Sequence, residues 1–393
     1  MAMHTAYYIF PDQVHLGFGA ARLAAQILKA EGARHAFVIA DPGVASAGLV
    51  APVLASFAEA GIAHTLYTQV IPNPDCASVD AAADAYRAAD ADCIVGIGGG
   101  SALDTAKAAR IVIAGPPEGR VAEYAYRLGD KARPHPPRAR LPFYVAIPTT
   151  AGTGAEVTPW AVITDPGEKL KFGVGGPHSV PDMALIDPEL MLTLPAFLTA
   201  STGMDALTHC IEAYVSTNEN PALDPMILQA IAQIGRSLPV AVAQPANRTA
   251  RRDMAEAAMI GGIAISSKWL GACHSLAHPL SSFANVPHGL ANAIMLPHVM
   301  RYNLPGAIER YAQVNDALGG PGGTTRARAE SAALMVERLC RDVGLPAHLR
   351  DAGVSETLIA PMAQAAYELD LNWWTNPRAV DAQVMAQLYR EAF

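Results

Sequence analysis

Four of the chain's twelve histidines, His274, His278, His288 and His298, fall within residues 273–298, CHSLAHPLSSFANVPHGLANAIMLPH. Small and apolar residues surround them, without the Lys/Glu dressing of a solvated face. Burying several imidazoles is costly unless each finds a partner. A divalent metal can serve several neutral imidazoles at once, although any one of them taken singly reads as well as a hydrogen-bonded core histidine. Upstream, GMDALTH sets Asp205 and His209 four residues apart, so on a helix both project from one face. Alone they are a polar pair that stabilises a helix. Beside the histidine cluster they become half of a site, one carboxylate oxygen joined to several imidazole nitrogens. Such a set suits Fe²⁺, Zn²⁺ or a neighbouring first-row ion, and affinity order does not choose among them.

A second kind of chemistry lies in the glycines. Gly96-Ile97-Gly98-Gly99-Gly100-Ser101 follows an apolar run and opens a helical stretch, and Thr149-Thr150-Ala151-Gly152-Thr153-Gly154 follows another. Glycine there lets backbone approach a ligand closely, and free N–H groups at a helix start favour an anion such as a pyrophosphate. The spacing is not GxGxxG, and a tight packing turn explains a glycine run equally well. Two such loops at strand ends suggest a dinucleotide along the carboxyl edge of a sheet. Asp41 suits a carboxylate bonded to the adenosine ribose hydroxyls; a turn-forming Asp before Pro42 is the alternative.

The elements that must position these residues change character along the chain. Residues 35–41, 64–70, 93–100 and 143–150 read as strands; 20–32, 45–60, 78–91 and 101–113 carry helical periodicity. Wholly apolar strands alternating with helices imply a parallel sheet covered on both faces. The stretch 115–140, rich in Pro, Arg and Gly, reads as a surface loop with a short helical insert. Beyond about Leu190 strand-like runs stop, and 202–216, 222–238, 251–267, 325–343 and 355–369 read as helices. We therefore expect a dinucleotide-binding α/β domain over 1–189 and a helical metal-binding domain over 190–393. A length of 393 residues itself favours two domains.

Hydrophobic residues make up 51% and charged ones 16%, which points to large cores and a subunit interface. A net charge of −8 supplies no basic stripe for nucleic acid. Five cysteines (Cys76, Cys93, Cys210, Cys273, Cys340) without a CxxC pair suggest reduced thiols in a cytoplasmic protein. The opening MAMHTAYYIFPDQ shows no basic segment before an apolar run, so no signal peptide is expected. No membrane-spanning stretch is expected either, because the apolar runs near Met259 and Leu290 are interrupted by Lys268 and Pro297.

GIGGGSALDTAK, AIPTTAGTGAEVT, GMDALTHCIEAYVS and HSLAHPLSSFANVPHGLANAIMLPHVMRYN resemble the iron-containing (group III) alcohol dehydrogenase family, which includes lactaldehyde reductases and propanediol and butanol dehydrogenases. The likeness extends to Asn376-Pro377-Arg378, nearly the whole chain. It implies a Rossmann-like N-terminal α/β domain, an all-helical C-terminal domain (a dehydroquinate synthase-like fold), and a homodimer. It places the metal ligands on Asp205, His209, His274 and His288, and a residue assisting proton transfer on His278. Cofactor contacts for NAD fall on Asp41, Asn73, Gly98, Gly99, Gly100, Ser101, Asp104, Thr149, Thr150, Thr153 and Lys171. His298 has no ligand role in that pattern. The implied reaction is hydride transfer between NAD(H) and a small alcohol or aldehyde, with Fe²⁺ (or Zn²⁺ or another divalent ion) as Lewis acid. Glycerol dehydrogenase and maleylacetate reductase share the fold; the complete Asp/His set speaks against the latter.

Around the substrate the chain departs from the family. Lys268-Trp269 replaces small or apolar residues, Trp160 follows the Glu-Val-Thr triplet, and Asn372-Trp373-Trp374 replaces a slimmer stretch. Trp160, Ile265, Lys268, Asn372 and Trp373 are the substrate candidates. Lys268 is expected either to reach solvent with its stem packed on Trp269, or to receive an acidic group on a short aldehyde.

Overall fold

The structure, a computed structural model, describes residues 6–126, 135–167 and 170–393. The first residues of the stretch read above for a leader, and the middle of the 115–140 loop, lie outside these. The described chain divides into two compact units. One comprises Ile9–Thr150 with Ala155–Met191. The other comprises Leu192–Phe393, the turn Ala151–Gly154 and the residues before Ile9.

In the first unit the chain runs β1 (Gln13–Leu16), α1 (Leu23–Ala30), β2 (His35–Ala40), α2 (Pro42–Ser46), α3 (Ala51–Ala60) and β3 (Ala63–Tyr67). It continues through α4 (Cys76–Ala88), β4 (Cys93–Gly98), α5 (Gly100–Ala114), β5 (Ala125–Tyr126), β6 (Phe143–Pro148), β7 (Trp160–Asp165), β8 (Leu170–Gly175) and β9 (Met183–Ile186). The main sheet has the order β1-β9-β6-β4-β2-β3, and every pairing in it is parallel. Strand side chains alternate between faces. On β2, Phe37 and Ile39 join a core with Val79, Ala83, Leu103 and Tyr144, while Val38 and Ala40 join another with Ala24, Leu28, Val53 and Phe57. Both faces are covered, which is why these strands are apolar throughout.

The sequence reading missed β1, β9 and the small antiparallel sheet β5-β8-β7. β5 has two residues and β1 and β9 four each, while β8 contains Gly173 and Gly175, which leaves little periodicity signal; β7 (WAVITD) carries a strand pattern that the reading passed over. The single helix expected over 45–60 is two, α2 and α3, broken at Gly48 (φ 74°).

The second unit is helical: α6 (Ala196–Val215), α7 (Asp224–Ala243), α8 (Arg248–Lys268), α9 (Ala272–Ala284), α10 (His288–Asn303), α11 (Ile308–Ala317), α12 (Thr325–Asp342), α13 (Ile359–Glu368) and α14 (Ala382–Ala392). The histidine stretch is helical on both sides of a break at Asn285–Pro287, in α9 and α10, which pack on each other. One helix, α7, is long and apolar enough by length and composition to cross a membrane, contrary to expectation. It packs against α6, α8 and α11, as a core helix does.

Candidate metal centre and cofactor edge

On α6, Asp205, His209 and Glu212 recur at i, i+4 and i+7 and share one buried face. On α9, His274 and His278 are likewise four apart, and His288 is the first residue of α10. Three imidazoles converge on one atom. His288 Nε2 lies 3.6 Å, His274 Nε2 3.7 Å and His209 Nε2 3.9 Å from Asp205 Oδ1. Donor atoms of Asp205, His209 and His274 all lie within 4.8 Å of one another. Three imidazole nitrogens and a carboxylate oxygen, nearly all buried, form a donor set that suits a first-row divalent ion.

The ionisation of the set follows from its burial. Burial holds His209 down to about 4, against the pull of Asp205, so its ring is neutral and a competent ligand at neutral pH. Burial acts the same way on His274, but Glu212, hydrogen-bonded at Nδ1, and the nearby Asp205 carboxylate outweigh it and raise the imidazole to about 9. Asp205, although desolvated, is kept far below the ordinary carboxylate range by the surrounding imidazoles.

Sequence reasoning missed three polar residues behind these rings. Glu212 Oε2 lies 2.6 Å from His274 Nδ1, and its Oε1 accepts the Cys273 N–H at 2.7 Å, at the start of α9. A Cβ at Gly271 would sit 2.7 Å from that oxygen, so glycine is what lets the carboxylate reach the helix end. This arrangement orients Nε2 of His274 into the donor set. Asn292, fully buried and one turn beyond His288, donates to Asp205 Oδ1 at 2.7 Å. Its Nδ2 also lies 3.1 Å and 3.2 Å from Nε2 of His274 and His288. Asp370, from the loop after α13, lies 2.6 Å from His278 Nδ1. Helical spacing from Asp205 and His288 signals Glu212 and Asn292, whereas no local pattern signals Asp370.

His278 stacks against His288 at a centroid distance of 5.3 Å and meets the His274 ring edge-on at 6.3 Å. His298 stands apart on α10, with burial holding its imidazole below the ordinary value.

In the α/β unit the expected cofactor residues gather at the carboxyl ends of β2, β4 and β6, on either side of the point where the strand order reverses. α5 starts directly after Gly98-Gly99, and no side chain caps its first N–H groups. A Cβ at Gly98 would lie 2.6 Å from Ala102 Cβ and 3.0 Å from Asp41 Oδ2. Asp41 caps α2 through Val44 N (2.9 Å), as a turn-forming Asp does, and its other oxygen faces the glycine loop. Thr149 N donates to Gly98 O at 2.9 Å, which brings Thr149 and Thr150 alongside. Asn73, at φ 51°, donates its N–H to Ser101 Oγ (3.3 Å) and accepts Lys171 Nζ at Oδ1 (2.8 Å).

Asp104 Oδ2 accepts Val162 N at 3.0 Å, with the fully buried Lys107 nearby. Two expectations require correction. The second glycine loop splits. Thr153 falls in the turn grouped with the helical unit, where Gly152 and Gly154 allow close approach to Thr202 and to Gly262. Those glycines are packing residues rather than a phosphate cradle. Lys268, fully buried, neither reaches solvent nor stands ready for an acidic substrate; its ammonium donates to Asp224 Oδ1 at 2.8 Å, and Arg310 holds the other oxygen.

The remaining substrate candidates belong to both units. Ile265 lies on α8, one turn before Trp269. Asn372 N donates to Asp370, and Trp373 stacks on Tyr367 (5.0 Å) while its Nε1 donates to Tyr367 O. Trp160 belongs to the other unit, where its ring packs near Tyr126 and over Gly173.

Residues 11–188 match the model of the iron-containing alcohol dehydrogenases, and residues 199–393 that of the C-terminal part of the Fe-containing alcohol dehydrogenase family. The chain is 39% identical to the 1,3-propanediol dehydrogenase of Citrobacter freundii, over 98% of both chains. It is 38% identical to the lactaldehyde reductase of Escherichia coli (strain K12), over 98% of this chain and 99% of that one. A crystal structure of a 1,3-propanediol oxidoreductase superposes with a TM-score of 0.93 at 38% identity, covering 99% of this chain and all of the other. The chain belongs to the iron-containing alcohol dehydrogenase family. It is an oxidoreductase with that family's α/β and helical parts.

Proposed function

We propose that the protein interconverts a small alcohol and its aldehyde with NAD(H), using a divalent iron held by Asp205, His209, His274 and His288. The observation that carries this reading is the convergence of three imidazole nitrogens on Asp205 Oδ1 inside the helical unit. A bound ion there supplies Lewis acidity toward the alcohol oxygen. The chain's own residues do the rest. Asp205 balances the ion's charge, Glu212 fixes the His274 ring, and Asn292 fixes the Asp205 carboxylate. His278 stands beside the set to take the hydroxyl proton. Gly98, Gly99, Gly100 and Ser101 would hold the pyrophosphate of NAD, with Thr149 and Thr150 alongside; Asp41 would take the ribose hydroxyls, and Asn73 and Lys171 would add further contacts.

The names of the relatives, which speak of 1,3-propanediol and lactaldehyde, favour a short substrate. We infer a homodimer working in the cytoplasm, in keeping with the absence of disulfides among the five cysteines. The test is to purify the protein anaerobically with iron and follow NADH with short alcohols and aldehydes. Turnover with NAD well above that with NADP is expected, and no metal-dependent turnover with any of them would refute the reading.

A further inference from the structure

Asp370 lies 92 residues from His278 in sequence, yet the two meet in the helical unit. Both its oxygens are engaged: Oδ1 accepts Ser275 Oγ–H at 2.6 Å and Asn372 N–H at 2.8 Å, and Oδ2 faces His278 Nδ1 at 2.6 Å. The side chain is 8% exposed. Burial alone would raise its pKa, but His278 and the two donors hold the carboxyl below its ordinary value. An ionised carboxylate only accepts hydrogen bonds. The facing Nδ1 must therefore carry the hydrogen, and in the neutral ring Nε2 is then the lone-pair nitrogen. Ser275 sits one residue after ligand His274 on α9, and His278 one turn further on. Asp370 thus braces the same helix that presents His274, and it also sets the orientation of the ring packed against His288.

We propose that Asp370 is a positioning residue for the reaction: it holds His278 in the tautomer whose Nε2 accepts the proton lost by the alcohol. This rests on the reading above. When the alcohol is oxidised, its hydroxyl proton moves to His278 Nε2, and the carbinol C–H leaves as hydride to the nicotinamide of NAD⁺. The carbonyl product, NADH and an imidazolium result; the imidazolium then returns the proton to solvent. In the reverse direction the imidazolium donates that proton. Throughout, the Nδ1–H stays on the ring and bonded to Asp370.

The variant Asp370→Asn separates this role from simple packing. It is nearly isosteric and keeps acceptor capacity for Ser275 and Asn372, but its amide can donate to Nδ1 and so favour the opposite tautomer. Loss of a well-placed proton acceptor typically lowers turnover about 10²–10⁴-fold. We expect a fall in kcat of that order, with KM for the alcohol and iron content close to wild type. Asp370→Glu, which keeps an acceptor-only group, should recover part of the loss, and Asp370→Ala should not. Circular dichroism checks that each variant is folded; if Ala is not, the Asn and Glu pair decides. A second readout does not depend on turnover: in the zinc-loaded protein, ¹⁵N spectra of labelled histidine should show His278 Nε2 unprotonated in the wild type and protonated in Asp370→Asn. Unchanged kcat in Asp370→Asn, an unchanged tautomer, or loss of bound metal in that variant would each overturn the proposal. A wild type with no NAD-linked turnover would instead refute the function on which it rests, and the proposal with it.

Discussion

In the helical unit, Asp205, His209, His274 and His288 offer side-chain atoms from three helices, each atom within 4 Å of Asp205 Oδ1 or being that atom. In the α/β unit, the residues at the sheet edge offer mostly main chain, Gly98 to Gly100 and Thr149–Thr150, with Asp41 as the main charged contributor. The first region is specified by chemistry and the second by space. A side-chain site fails when a donor atom or the group behind it is removed. A main-chain site fails when something is added where there was room. The difference predicts opposite sensitivities, and four substitutions test it.

The largest effect among these should come from Glu212→Gln. It keeps the shape behind His274 and weakens the acceptor at Nδ1. Loss of such an outer partner typically costs 10–100-fold in metal affinity, to be read by competition with a chelator; NAD binding should not change. Next, Gly98→Ala adds a carbon 2.6 Å from Ala102 Cβ and 3.0 Å from Asp41 Oδ2. Overpacking of this kind costs about 1–3 kcal/mol, so NAD should bind roughly tenfold more weakly while iron content stays intact. Loss of metal in this variant, or of NAD binding in Glu212→Gln, would break the comparison.

Asp41→Gly should act more mildly. Glycine at an N-cap costs only a few tenths of a kcal/mol, so the fold should persist. The carboxylate that repels a 2′-phosphate is gone, and kcat/KM with NADP should rise severalfold relative to NAD. An unchanged ratio would remove Asp41 from the cofactor site. Lys268→Met should affect catalysis least. The ammonium is bonded to Asp224, so stability should fall by about 1–3 kcal/mol, seen as a lower Tm. The relative rates with acidic and neutral aldehydes should not move; a change specific to acidic aldehydes would restore Lys268 to the substrate site.

How much was legible in advance follows the same division. Asp205 and His209 share a helix, as do His274 and His278, and their spacing alone placed them on common faces. Glu212 and Asn292 obey that rule too and were available from it. Asp370 was not, because its partner His278 lies 92 residues away and only tertiary folding joins them. The glycines after the strands were legible, but not which neighbours they meet: Gly152 and Gly154 look like Gly98 and Gly99 in sequence, yet they meet Thr202 and Gly262 of the helical unit. Lys268 misled for a related reason. The lack of nearby charge in sequence suggested an unpaired ammonium, whereas its partner Asp224 waits at the start of another helix.

The central claim is that four side chains of the helical unit hold the ion on which turnover depends. Metal analysis of anaerobically purified wild type and His274→Ala, with NADH-linked turnover measured on the same samples, tests it most directly. Iron stoichiometric with wild-type chains is predicted, with most of it lost in His274→Ala together with nearly all turnover, while circular dichroism still reports folded helices. Full turnover in a metal-free His274→Ala protein would contradict the account.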